Sequence, residues 1–351
     1  MYLAFYGLRE KPFGTTPDPR FLYLAPSHQE ALAQLVYGVQ EKKGFLVLTG
    51  EVGTGKTTLV HALLRRLDAQ TAAALVFNST LPFEGLLEYA LEDFGVSKAG
   101  DTHAQRLMAL NTFLIERRRA GQNTVLIIDE AQNLLPETLE QVRLLSNFET
   151  PTEKLLQILL VGQPELGDRL ALPALRQLKQ RIALRCRIQP LTVDETAEYM
   201  RVRLRIAGAR DAGLFTPEAI ARITAHSGGI PRIVNSLCDH ALLIGYADQQ
   251  RRIDGRIVDD AIRYLESGEA SEPRRAPRAP RANMRPRAPR ANMRPRSRAG
   301  RVPRWALVSG AVAAGAAVAL VPALTLWPEA FHGLVGPLAE LAARLRDLVA
   351  R

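Results

Sequence analysis

A chain of 351 residues with 47% hydrophobic side chains is long enough for two cores and too apolar to be a disordered protein. Its net charge of +10 is carried by residues 271–304, where twelve arginines face the single acid Glu272; residues 305–351 balance, so the first 270 residues are left at about −1, which argues against a DNA-binding face on the globular part. Cys186 and Cys238 fit neither a metal spacing nor a disulfide framework, as expected of a reducing compartment.

The N-terminus, Met1 to Tyr6, has no basic n-region and no long apolar h-region. A secretory signal is therefore not expected, and the body of the chain is expected in the cytoplasm. The first apolar run, Phe45 to Thr49, reads as a buried strand and leads directly into Gly50, Glu51, Val52, Gly53, Thr54, Gly55, Lys56, Thr57 and Thr58. These residues fit the phosphate-loop pattern G-x-x-x-x-G-K-[ST] at every fixed position. The glycines let the backbone N–H groups converge on phosphate at the start of a helix. Lys56 is placed to reach the β- and γ-phosphates of ATP, and the Thr57 hydroxyl to ligate Mg²⁺.

Further strands are expected at Ala73 to Phe77, Thr124 to Ile128, Leu156 to Val161 and Ala183 to Ile188. They are mostly continuous apolar runs far apart in sequence, the pattern of a parallel five-stranded sheet covered on both faces in an α/β nucleotide-binding core spanning 1–190. The third strand ends in Asp129 and Glu130. Asp129 can hold Mg²⁺ through water, and Glu130 can orient and deprotonate the attacking water, so hydrolysis is implied beyond binding. Gln163, after the fourth strand, is a candidate contact to the γ-phosphate or the lytic water; the competing reading is a turn residue.

Four arginines, Arg176, Arg181, Arg185 and Arg187, precede or lie in the fifth strand. Arg181 is the candidate to reach a neighbouring subunit's nucleotide as an arginine finger, against the reading of an exposed arginine at a helix edge. Beyond Pro190 the pattern turns helical. Thr192 to Glu195 has the form of a capping box for a helix ending near Ala207, Thr216 and Pro217 mark a second start, and Gly228-Gly229 with Pro231 mark its end. A small all-α lid domain is expected over 191–267, with Arg232 placed to report loss of the γ-phosphate.

Residues 268–304 are rich in Pro, Arg and Ala, and residues 279–287 and 288–296 are identical nine-residue repeats. Repeated proline and like charge predict an extended tether; contact with anionic lipid or nucleic acid is the other reading. Residues 305–327 carry no charged side chain and have a Trp at each end, matching the ~20 residues of a membrane span; a buried soluble helix is the alternative. By the positive-inside rule the arginines before it are expected to place the N-terminal body in the cytoplasm; the bacterial inner membrane is the expectation that the family resemblance given below adds. Residues 328–351 have helical apolar spacing, as in an amphipathic tail outside the membrane that lies on the membrane–water boundary or against a partner.

Phe5-Tyr6-Gly7-Leu8 with Lys11-Pro12-Phe13 and Pro17-Asp18-Pro19, His28, the phosphate loop, Ile128 to Gln132, Val161 to Pro164, and Gly228 to Arg232 with Asn235 together resemble the ExeA-like ATPases, AAA+ proteins of general secretion pathway component A type. The resemblance covers about residues 1–266. It implies an AAA+ core and lid, ATP hydrolysis, a homo-oligomeric ring such as a hexamer, one C-terminal membrane span, and partners in the assembly of secretins, pili or exopolysaccharide export systems. Secretion members carry a large peptidoglycan-binding domain after the span, where this chain has residues 328–351. A DNA-binding ATPase of transposition or replication-initiator type is the competing function, disfavoured by the near-neutral body and the span.

Overall fold

The structure, a computed structural model, describes residues 2–14, 18–77, 81–96, 100–211 and 213–267. The expected tether at 268–304, span at 305–327 and tail at 328–351 lie outside the described residues. In chain order the elements are α1 (Tyr2–Tyr6), α2 (Pro26–Gln40), β1 (Phe45–Thr49), α3 (Lys56–Arg66), β2 (Ala72–Val76), α4 (Phe83–Asp93), α5 (His103–Arg119), β3 (Thr124–Ile128), α6 (Pro136–Leu145), β4 (Gln157–Gly162), α7 (Pro164–Leu170), α8 (Arg176–Arg181) and β5 (Ile182–Arg187). Four helices then follow, α9 (Val193–Ile206), α10 (Pro217–Ser227), α11 (Pro231–Ala247) and α12 (Gly255–Ser267).

All five strands are parallel, in the order β2-β3-β4-β1-β5. Side chains alternate between the two faces. Val47, Leu126, Ile128, Ile158 and Leu160 pack under α4, α5 and α6, whereas Leu46, Leu48, Val125, Ile127, Leu159 and Val161 pack under α2 and α3. The central strands are apolar throughout because both faces are covered. On the edge strand β5 the expected continuous burial gives way to alternation, with Arg185 and Arg187 exposed. Charge on an edge discourages pairing with another chain. Burying each of these aliphatic side chains stabilises the fold by about 1.5–3 kcal/mol, so Leu159→Ala, at a fully buried position, is expected to cost about 2–5 kcal/mol.

After the sheet the chain is helical, from α9 to α12. Thr192 and Glu195 make a reciprocal capping box on α9, and Thr216 caps α10. Gly228 and Gly229, with φ of 58° and 73°, end α10 in the left-handed region. The Leu191 amide donates to the Gly229 carbonyl at 2.9 Å, which ties the core-to-lid connection to that turn. A Cβ on Gly229 would lie 2.0 Å from the Leu191 carbonyl oxygen, so only glycine fits.

The first 25 residues behave differently from the sequence reading, which grouped them with the sheet domain. Tyr2, Tyr6, Leu8, Phe13, Phe21 and Ala25 join the lid's hydrophobic cluster with Tyr199, Leu204, Phe215 and Leu242. The Tyr2 hydroxyl donates to Asp239 Oδ1 at 2.5 Å, and the Arg9 amide donates to the Ala207 carbonyl at 2.8 Å. Four short lid helices supply a small core, and the aromatic N-terminal segment enlarges it.

Candidate active site

The phosphate loop leaves β1 and enters α3 through Gly53 and Gly55, at φ of 82° and 100°. The bend is fixed from inside: the Thr54 hydroxyl donates to the Glu51 carbonyl at 2.7 Å, and the ring Nε2 of His28 is 2.9 Å from the Thr54 carbonyl. A carbonyl can only accept, so His28 carries its proton on Nε2. Burial holds its pKa below the ordinary histidine value. No side chain caps the first turn of α3, which leaves its N–H groups and the helix dipole for an anion. Glu51 and Val52 form the exposed outer edge of the loop.

Lys56 is buried, and its Nζ donates to the carbonyls of Gly50 and Glu51 at 2.9 and 3.1 Å. Burial depresses its pKa; nearby Glu130, Asp129, Glu51 and Glu165 oppose that shift. The ammonium is thus held within the loop whose phosphate-facing groups it would join.

Thr57, the second residue of α3, donates its hydroxyl to Asp129 Oδ2 at 2.9 Å. Asp129 is 3% exposed, and its Oδ1 accepts the Glu130 amide at 2.8 Å. Glu130 has φ of 52°, a left-handed conformation that a non-glycine residue adopts only where the surroundings hold it. Its Oε2 accepts from Gln132 Nε2 at 2.6 Å and from Gln163 Nε2 at 3.3 Å. Gln132 also accepts the Gln163 backbone amide, at 3.1 Å, through Oε1. Because β4 lies between β1 and β3, Gln163 at its end sits between the two motifs.

Arg232 approaches from the lid. Its amide donates to the Gly53 carbonyl at 3.3 Å, and a Cβ on Gly53 would lie 2.7 Å from Arg232 Cβ. A cavity of about 450 Å³ runs from the phosphate loop past Arg232 to Phe21, Tyr199 and Asn235.

Residues 39–170 match the AAA domain family. Over 254 residues the chain is 44% identical to General secretion pathway protein A of Aeromonas hydrophila, covering 72% of this chain and 46% of that protein. The chain thus spans about half the length of that curated relative. Residues 39–170 are thus an AAA domain. The AAA+ fold of the chain is also that of the Aeropyrum pernix ORC2 protein in its ADPNP and ADP complexes, at 19% identity with a TM-score of 0.55 over 75% of this chain and 73% of the other. The Aeropyrum pernix ORC1 protein in complex with DNA matches at 17% identity with a TM-score of 0.51, over 73% and 70% of the two chains.

The AAA+ site therefore brings together Lys56, Thr57, Asp129, Glu130, Gln163 and Arg232. Arg181 stands apart. It is exposed, and its guanidinium donates to the Ser146 hydroxyl at 2.5 Å and to Asn147 Oδ1 at 2.7 Å, at the C-terminal end of α6. It does not line the cavity of its own chain.

One hydroxyl and one carboxylate, at Thr57 and Asp129, are a fitting donor set for Mg²⁺, which usually keeps waters and takes substrate phosphates as further ligands. Among the described residues no cluster of three or more acidic, His or Cys side chains would compete for it. Bound there, Mg²⁺ would neutralise charge on the phosphates.

Sequence reading assigned no role to Gln132, Tyr199 or Arg203. Asp-Glu followed two residues later by an amide was the available signal for Gln132, but only the turn at Glu130 folds that amide back onto the carboxylate. Tyr199 and Arg203 lie one helical turn apart on α9, and nothing in that spacing announces a ligand.

Proposed function

We propose that the chain hydrolyses ATP at this site and uses the cycle to assist or regulate a cell-envelope assembly, such as a secretion, pilus or exopolysaccharide export system. The observation that carries the hydrolytic part is the Glu130 carboxylate, held by Gln132 and Gln163 beside the Thr57–Asp129 pair. Glu130 takes the proton of the attacking water as its oxygen bonds to the γ-phosphorus; the bond to the β-phosphate oxygen breaks, giving ADP and phosphate. Lys56 and Arg232 offset charge on the phosphoryl oxygens, and Gln163 orients the water. The envelope part rests on the 44% identity to General secretion pathway protein A.

Residues 305–327 anchor the ATPase in the inner membrane in this reading, with the N-terminal body cytoplasmic. Among the described residues no helix is long and apolar enough to cross a membrane. The chain works as a homo-oligomeric ring in which Arg181 reaches the neighbour's nucleotide. Phosphate release by the purified full chain tests the enzyme, with Lys56→Ala as the inactive control. Fractionation of cells expressing the full chain or a form ending at residue 304 tests the anchor: only the full chain should sediment with membranes.

A DNA-binding function is the second reading, favoured by the shared fold with the ORC1 protein in complex with DNA. The charge of about −1 over the first 270 residues opposes it. A salt-sensitive gel shift by residues 1–270 would support it instead.

A further inference from the structure

On the lid side of the cavity, three side chains form a hydrogen-bonded relay that the hydrolytic chemistry leaves unused. Arg203, buried on α9, donates from Nε to the Pro12 carbonyl at 2.6 Å and from Nη1 to the Tyr199 hydroxyl at 3.1 Å. Its guanidinium also lies over the Phe21 ring, 4.9 Å from the centroid. The Tyr199 hydroxyl donates in turn to Asn235 Oδ1 at 2.8 Å.

Donor chemistry fixes the direction of this relay. A guanidinium has no acceptor, so the Tyr199 oxygen accepts and its one hydrogen goes onward, which turns the carbonyl side of the Asn235 amide toward it. Burial raises the Tyr199 pKa, keeping the phenol a donor. Asn235 Nδ2 and its two hydrogens remain, with no hydrogen-bond partner among the described residues. Asn235 lines the cavity and is 9% exposed.

Position selects the half of the nucleotide. Asn235 lies three residues beyond Arg232 on α11, on the same helix face and one turn farther from the Arg232–Gly53 contact. The cavity it lines is also walled by Phe21, Leu22 and Tyr199, the last in contact with Asn235. Apolar and aromatic walls with a few oriented polar groups suit a base and ribose, whereas the loop and Arg232 suit phosphates.

We propose that Asn235 binds the nucleoside half of the substrate, its Nδ2 donating to a purine ring nitrogen or to the ribose 2′-hydroxyl. Tyr199 and Arg203 are positioning residues that hold the amide in this orientation. The proposal rests on the reading of the site as one for ATP. Through Pro12 and Phe21 the N-terminal segment braces the same contact.

Calorimetric titration of the full-length protein with ATP and with ADP, beside melting curves with and without ADP, tests this. Asn235→Ala should weaken both nucleotides by the same factor, about five- to tenfold, and shrink the ADP-induced rise in melting temperature. Asn235→Asp keeps an acceptor for Tyr199 and should also lose ADP affinity. Tyr199→Phe should weaken both nucleotides about threefold, and the Tyr199→Phe/Asn235→Ala pair should be no worse than Asn235→Ala alone, since Tyr199 acts through the amide. With 2′-deoxy-ATP, a retained difference between the unsubstituted chain and Asn235→Ala assigns the contact to the base, and a vanished one to the ribose. Weakening of ATP alone would move the contact to the γ-phosphate and overturn the proposal, as would unchanged affinities. A lower melting temperature with an undiminished ADP-induced rise would reduce Asn235 to a packing residue. Failure of the unsubstituted chain to bind ATP would strike the reading of the site itself.

Discussion

The Thr57 hydroxyl donates to Asp129 Oδ2 at 2.9 Å across 72 residues of sequence. Two motifs from different strands therefore meet at the pair that would hold Mg²⁺. Asp129→Asn should keep the fold, because an amide can still accept from Thr57, but it removes the charge that favours the cation. Phosphate release should fall by about 100-fold or more and lose its response to a Mg²⁺ titration.

Glu130 is aimed by its neighbours. Gln132→Ala removes the donor at 2.6 Å and frees the Gln163 backbone amide from its 3.1 Å acceptor. Turnover should drop about tenfold while ATP affinity stays nearly constant, because aim and not phosphate binding is lost. Steady-state kinetics beside equilibrium binding makes that split visible. Equal losses in both would make Gln132 a general support of the fold.

Much of this arrangement was legible in the sequence. Strands β1 and β3 have the bounds their apolar runs predict, whereas β2, β4 and β5 each begin and end one residue away from expectation. Lys56, Thr57, Asp129 and Glu130 could be named because their spacing encodes one strand-to-helix turn and one strand end. The N-terminal segment could not be placed: Tyr2 meets Asp239 across 237 residues, and no local pattern encodes that contact. Arg181 was legible as one of a cluster, but its bonds to Ser146 and Asn147 depend on where α6 ends.

Gly229→Ala should be the most damaging of the small substitutions in the lid. The added Cβ meets the Leu191 carbonyl oxygen at 2.0 Å, and φ is 73°. Conformational strain alone costs about 1 kcal/mol or more, and the backbone clash forces the core-to-lid connection apart. Denaturant unfolding should reveal a loss of at least about 3 kcal/mol, or an insoluble chain. Gly228→Ala, where a Cβ meets nothing within 4 Å, is the matched control and should cost only about 1 kcal/mol.

His28 predicts an acid-sensitive phosphate loop. Burial lowers its folded pKa, so the neutral ring contributes stability that is fully present above the unfolded value near 6.5 and is lost as pH falls through the folded value. Its Nδ1 is buried without a partner, so a proton taken up there gains no hydrogen bond. His28→Gln, which can still donate to the Thr54 carbonyl, should flatten the decline in stability as pH falls below the unfolded histidine value near 6.5, relative to the unsubstituted protein. Chemical denaturation at each pH measures this, and an unchanged slope would assign the acid sensitivity elsewhere.

The account turns on Glu130 as the group that activates water. Glu130→Gln keeps shape and hydrogen-bonding capacity while removing the base. Phosphate release and ATP affinity of this variant should be measured together on the full chain with Mg²⁺. The prediction is ATP binding within about twofold of the unsubstituted protein and phosphate release reduced by about 100-fold or more. Unchanged turnover with Glu130→Gln would contradict the assignment.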